Sequence, residues 1–117
     1  MYWHKIGTTD DLVANSGVCA LVNNQQVAIF YVPQNSEPVL AISNYDPIGK
    51  ANVLSRGIIG SIDGKLVVAS PLYKQHFCLN TGECLEAEAI QLPVFEAKID
   101  NSNVFVSAEP KAITALA

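Results

Sequence analysis

Along the whole chain, short runs of β-branched and aromatic residues alternate with Gly, Asn, Asp and Pro, the pattern of an all-β antiparallel sandwich or barrel. Gly17–Val22 and Gln26–Val32 are two such runs, and Asn23-Asn24 between them predicts a hairpin. Val39–Ser43 predicts the next strand. Gly57–Ile62 and Lys65–Ser70 flank Asp63-Gly64, the strongest turn signal in the chain and one suited to a type I′ hairpin. In Pro93–Ile99 the residues Phe95, Ala97 and Ile99 alternate with Glu96 and Lys98, as in a strand with one face in water, and Asn103–Ser107 is its expected return partner. Helix is scarce: Thr9-Asp10-Asp11-Leu12 predicts a single capped turn. The expected organisation is one β domain over residues 1–108 and a flexible, Ala-rich tail over 109–117.

At 117 residues, half of them apolar, the chain can bury a core without disulfide or metal staples. Seven basic against eleven acidic side chains leave a formal charge of −4, with Lys and Arg scattered, which argues against nucleic acid as a partner. Apolar runs such as Val27–Val32 are too short to span a bilayer, and Met1–Gly7 has neither a basic leader nor an apolar stretch, so a cytoplasmic location is expected. Three cysteines do not form a secreted disulfide framework. Cys19 reads as core, while Cys78 and Cys84 are placed to face each other across the Asn80-Thr81-Gly82 turn.

No catalytic constellation emerges. His4 and His76 are the only imidazoles, and neither has a positioning partner in sequence. Ser70 lacks a nucleophile elbow and reads as a turn serine, and Asp46 before Pro47 reads as an Asx turn. Gly49, Gly57, Gly60 and Gly64 form no phosphate-binding motif.

Two segments carry a family resemblance. Asn44-Tyr45-Asp46-Pro47-Ile48-Gly49-Lys50 and Ser70-Pro71-Leu72-Tyr73-Lys74-Gln75-His76-Phe77, the latter followed by Cys78-Leu79-Asn80-Thr81-Gly82-Glu83-Cys84-Leu85, resemble the two cluster-binding loops of a Rieske iron–sulfur domain. A Rieske centre takes two thiolates and two imidazoles, as Cys-x-His in one loop and Cys-x-x-His in the other. Those positions fall at Asp46 and Ile48, then Ser70 and Tyr73, side chains that lack the soft thiolates such clusters require. Together with Ala51–Gly57 and Ala69–Phe77, the segments closely resemble the small subunit of the assimilatory NAD(P)H-dependent nitrite reductase, from about Leu12 to Val106.

The resemblance implies a Rieske-like β fold without a cluster or any other cofactor. It also implies a large-subunit partner that carries FAD, sirohaem and a [4Fe-4S] cluster and reduces nitrite to ammonia. This chain would then be an accessory, non-catalytic subunit. Tyr45, Lys50, Arg56, Leu72, Tyr73, Lys74 and Gln75 are the candidate contacts to that partner, because aromatic and basic side chains on loops held by a rigid sandwich suit a protein interface. Tyr45, Leu72 and Tyr73 are expected to fill the volume a cluster would take, and Arg56 and Lys74 to meet acidic groups. The competing expectation is an electron carrier, a degenerate Rieske-type ferredoxin with an unusual metal site on His76, Cys78 and Cys84.

Overall fold

Both predicted hairpin turns form by the expected chemistry. Asn23 and Asn24 have φ of 50° and 66°, and Asp63 and Gly64 have φ of 51° and 77°. Two successive left-handed residues are what a type I′ turn requires, and Asn, Asp and Gly reach that region at least cost. The computed structural model describes residues 3–87 and 89–111. In chain order the strands are β1 (Trp3–Thr8), β2 (Ser16–Val22), β3 (Gln25–Tyr31), β4 (Val39–Ser43), β5 (Tyr45–Asp46), β6 (Ala51–Asn52), β7 (Ile58–Ile62), β8 (Lys65–Ala69), β9 (His76–Cys78), β10 (Val94–Asp100) and β11 (Asn103–Pro110). Single 3₁₀ turns at Thr9–Asp11 and Leu54–Arg56 are the helical elements among the described residues. The first is closed by a capping box in which the Asp11 carboxylate accepts the Thr8 backbone N–H at 2.9 Å.

The strands form a six-stranded antiparallel sheet of order β1-β11-β10-β4-β3-β2, a three-stranded sheet β7-β8-β9 and the short ribbon β5-β6. The large sheet curls until β1 and β2 approach each other. Inside the curl lies one core, of Val22, Val27, Ile29, Ala41, Phe95 and Val106. On the outer face of β3 and β4 lies another, where Ala28, Phe30, Leu40 and Ile42 meet Leu54, Val68, Phe77 and Leu79 from the smaller sheet and its connections. β3 and β4 are therefore buried on both faces, so Val27–Phe30 and Val39–Ile42 are apolar without alternation. The smaller sheet packs against them and carries the second loop.

Three expectations change here. Cys19 is exposed, because β2 is an edge strand whose Val18, Ala20 and Val22 point into the curl and leave Cys19 and Leu21 outside. The sheet continues past residue 108, since β11 runs through Pro110 and Lys111 N–H donates to the Val94 carbonyl at 2.7 Å; residues 112–117 of the expected tail lie outside the described residues. Cys78 and Cys84 do not face each other. Phe77 bridges Cys84, and Cys78 N–H donates to the Glu83 carbonyl, so Cys84 shares the core with Phe77 while Cys78 lies on the opposite face of β9.

Phe77 is fully buried where the smaller sheet meets β3 and β4. Phe77→Ala is expected to cost about 3–5 kcal/mol, measured by urea denaturation, a large share of the stability of a domain this size.

Candidate functional site

Asn44 sets the start of the first loop. It follows β4, is 2 % exposed, and its amide nitrogen donates to the Gln26 side-chain oxygen and to the Asn52 carbonyl, each at 3.1 Å. Its amide oxygen accepts the Ser55 N–H at 2.7 Å, and its backbone carbonyl accepts the Leu54 N–H at 3.1 Å. One buried side chain thus ties β3, β6 and the Leu54–Arg56 turn to the end of β4, and each of its polar atoms is paired, as burial demands.

The two loops have the same construction. Asp46-Pro47-Ile48-Gly49-Lys50 and Ser70-Pro71-Leu72-Tyr73-Lys74 both begin with a short polar residue before Pro, continue with an aliphatic residue and end on Lys. In each, the fifth residue's N–H donates to the first residue's carbonyl: Lys50 to Asp46 at 2.7 Å, Lys74 to Ser70 at 3.1 Å. The first residue's side chain accepts the third residue's N–H, Ile48 to Asp46 Oδ1 at 2.8 Å and Leu72 to Ser70 Oγ at 3.3 Å. Lys50 and Lys74 both lie in the left-handed region, with φ of 57° and 63°.

Between the loops, Ser70 Oγ donates to Asp46 Oδ2, with both residues essentially without solvent exposure. Asp46 Oδ1 also accepts the Gly49 N–H at 3.0 Å, so the carboxylate collects donors from both loops. Leu72 seats directly against Gly49, where a Cβ would lie 2.5 Å from Leu72 Cδ1. The first positions of the two loops, Asp46 and Ser70, are thus brought into direct contact. Ile48 and Tyr73, the other two positions expected to correspond to ligands, diverge: Ile48 is half-buried against the core while Tyr73 is 64 % exposed.

Of Tyr45, Leu72 and Tyr73, expected to fill the space between the loops, only Leu72 reaches it, against Gly49. All three are exposed at their outer ends; Tyr45 and Tyr73 leave that space, while Leu72 keeps one side against Gly49 and, with the Asp46–Ser70 hydrogen bond, closes it. Lys50, Arg56 and Lys74 are also exposed. Gln75 stands apart from the other surface candidates: its backbone carbonyl accepts the Ser70 N–H at 2.9 Å, and its side-chain oxygen is enclosed without a partner.

His76 turns to Glu86, a residue without a signal in the sequence. Glu86 Oε1 accepts the His76 backbone N–H and Oε2 contacts its Nδ1, both at 2.7 Å. Burial would push the Glu86 carboxyl up, but the hydrogen bonds from the His76 backbone and ring and the charge of that ring outweigh it, and the carboxyl titrates below its usual range. Burial pushes the Cys19 thiol up, which disfavours its reactive thiolate even though the residue is exposed.

This donor set does not suit an iron–sulfur cluster. A hydroxyl and a carboxylate already bonded to each other, an alkyl group and an outward-turned phenol offer no soft ligand. Among the described residues no three His, Cys, Asp or Glu side chains gather as a metal site, and His76, Cys78 and Cys84 do not converge. A cavity of about 360 Å³ lies elsewhere, lined by Trp3, His4, Asn23, Ala108 and Glu109.

Residues 2–107 match the family model of the Rieske-like [2Fe-2S] domain. The chain is 46 % identical over 102 residues to the NADH nitrite reductase small subunit of Escherichia coli K12, covering 87 % of this chain and 94 % of that protein. The solved structure of the E. coli protein NirD superposes with a TM-score of 0.82 at 43 % identity, covering 92 % of this chain and 98 % of that one. A match of 33 % identity over 104 residues lies within the NAD(P)H nitrite reductase large subunit of Klebsiella oxytoca, taking in 89 % of this chain and 11 % of that protein.

Asp46→Ala and Ser70→Ala are each expected to destabilise the domain by about 1.5–3 kcal/mol, since each leaves buried hydrogen-bonding groups unpaired. Their double-mutant cycle, measured by chemical denaturation, is expected to give a coupling of at least about 1 kcal/mol, and additive losses would show that the contact joins the loops only weakly. For Glu86, a lowered folded-state pKa means that its contribution is complete above the ordinary carboxyl value of about 4.3 and is lost as pH falls through the folded-state value. Between about pH 5 and pH 3, Glu86→Gln should therefore lose less stability than the parent chain, by under about 1 kcal/mol because the pair is solvent-exposed.

Proposed function

The chain belongs to the Rieske-like [2Fe-2S] domain family, on its NADH nitrite reductase small-subunit branch, and we propose that it is the accessory small subunit of a cytoplasmic NAD(P)H nitrite reductase that reduces nitrite to ammonia. It docks on a large subunit that holds FAD, sirohaem and a [4Fe-4S] cluster. The chain itself carries no cluster and transfers no electrons. The observation that carries this reading is the Asp46–Ser70 hydrogen bond: the loop pair that would bind a cluster is instead closed on itself by residues from its own two turns.

Docking through this end of the fold is supported by its composition. Tyr45, Leu72 and Tyr73 are large apolar groups held in water at 42 %, 46 % and 64 % exposure, beside the exposed cations Lys50, Arg56 and Lys74. Aromatic anchors on a rigid scaffold lose little conformational entropy on binding and contribute most of the energy of many interfaces. A large-subunit partner is further supported by the Klebsiella oxytoca protein, in which a segment similar to this chain is part of the large-subunit polypeptide.

The test is to recover the tagged chain from cells grown on nitrite and to record the absorption spectrum and iron content of the free chain and of whatever accompanies it. A colourless small subunit that retrieves a sirohaem-flavin protein is the expected result. An iron-containing, coloured chain would overturn the accessory role and favour the electron carrier. Tyr73→Ala is expected to weaken association with the large subunit at least about tenfold while leaving the melting temperature unchanged, read by titration calorimetry and a thermal scan.

A further inference from the structure

We propose that Lys50 and Lys74 form a paired cationic grip for an acidic segment of the large subunit; the inference rests on docking through the loop end and adds the chemistry of the partner. Its first support is the backbone. The other non-glycine residues in the left-handed region among those described are Asn15, Asn23, Asn24, Asp63, Asn101 and Ser102, all with short polar side chains. Asn and Asp tolerate this region because their side chains bond locally, whereas a lysine has no such compensation. Glycine would close either loop with less strain. Both loops nevertheless end on lysine, at φ of 57° and 63°.

The second support is electrostatic. Both lysines are exposed, and the ion pairs found among the described residues join His76 to Glu86 and Lys111 to Glu96 and involve neither loop lysine. The chain has a net charge of −4, yet segments 44–56 and 70–75 hold Lys50, Arg56 and Lys74 against a single carboxylate, Asp46. That carboxylate is buried and accepts hydrogen bonds from Ile48, Gly49 and Ser70. The two loops thus present positive charge on an acidic protein, with the nearby Glu86 carboxylate engaged by His76, and the surface complementary to the loops is acidic.

The geometry adds a third. The two lysines occupy the same position in two loops of the same construction, and those loops are joined through Asp46 and Ser70 and through Leu72 on Gly49. The lysine backbones are therefore held in one frame, which leaves only their side chains to be ordered when they engage a carboxylate pair. Leu72 and Tyr73, in the same loop as Lys74, supply adjacent apolar contact.

Replacement by glycine separates a role in the fold from a role in binding. Lys50→Gly, Lys74→Gly and the double variant are compared with the parent chain for melting temperature and for affinity to the purified large subunit at low and high salt. The expected result is a melting temperature unchanged or raised, about tenfold weaker binding by the double variant at low salt, and a shallower dependence of its affinity on salt. Lys74→Arg in the Lys50→Gly background should bind no more weakly than Lys50→Gly alone. Double-glycine binding within twofold of the parent, with Tyr73→Ala still impaired, would overturn the cationic grip and leave docking through the loop end standing. Unimpaired binding by the double-glycine variant and by Tyr73→Ala together would overturn both. A lowered melting temperature without weakened binding would assign the lysines to the fold alone.

Discussion

The Asp46 carboxylate is the point on which the loop end of this domain depends. A buried charge is tolerated only where donors replace its water, and here Ile48 and Gly49 supply two from its own loop while the Ser70 hydroxyl supplies one from the other. Ser70 in turn accepts the Leu72 N–H and so couples the carboxylate to the second loop's backbone. A cluster would join these loops by covalent bonds to metal. In this chain they are joined by the Ser70–Asp46 hydrogen bond, which serves the same geometric end.

That arrangement is held from below by two cores that share β3 and β4. Because both faces of these strands are buried, the end of β4 is fixed, and Asn44 transmits that position to the first loop through its amide and backbone. The second loop rises from β8 and returns into β9, whose Phe77 sits in the core shared with Phe30 and Ile42. Each loop is thus anchored to a rigid element, and exposed Tyr45, Leu72 and Tyr73 are displayed on a framework that packing alone does not explain. Large apolar groups held in water beside exposed cations are the features on which the proposed docking rests.

Much of this was legible in the sequence. Asn23-Asn24 and Asp63-Gly64 specify their hairpins because few residues accept two successive left-handed conformations. Val39–Ser43 was readable to the residue as β4, and Asp46, Ile48, Ser70 and Tyr73, the ligand positions the resemblance implies, were readable as side chains without a thiolate or imidazole. The shared pattern of a short polar residue, Pro, an aliphatic residue and a closing Lys was also present at both loops, and was the available signal for their common construction. Cys19 was misjudged because an apolar neighbourhood does not reveal that β2 lies at a sheet edge, where alternate side chains face water. Glu86 had no signal, because its partner His76 is ten residues away and their meeting depends on how the Thr81-Gly82 turn folds back.

What the sequence determined by itself was the local: an all-β chain, the positions of its tight turns, and two loops whose side chains include no thiolate. These follow from backbone preference and ligand chemistry, which act over a few residues. Only the tertiary structure decided that Asp46 and Ser70, twenty-four residues apart, bond to each other, that Ile48 turns inward while Tyr73 turns outward, and that the aromatic residues leave the space between the loops rather than fill it. The reason is that burial and hydrogen-bond pairing between distant segments depend on how the smaller sheet seats on β3 and β4, a property of the whole packed chain rather than of any window along it.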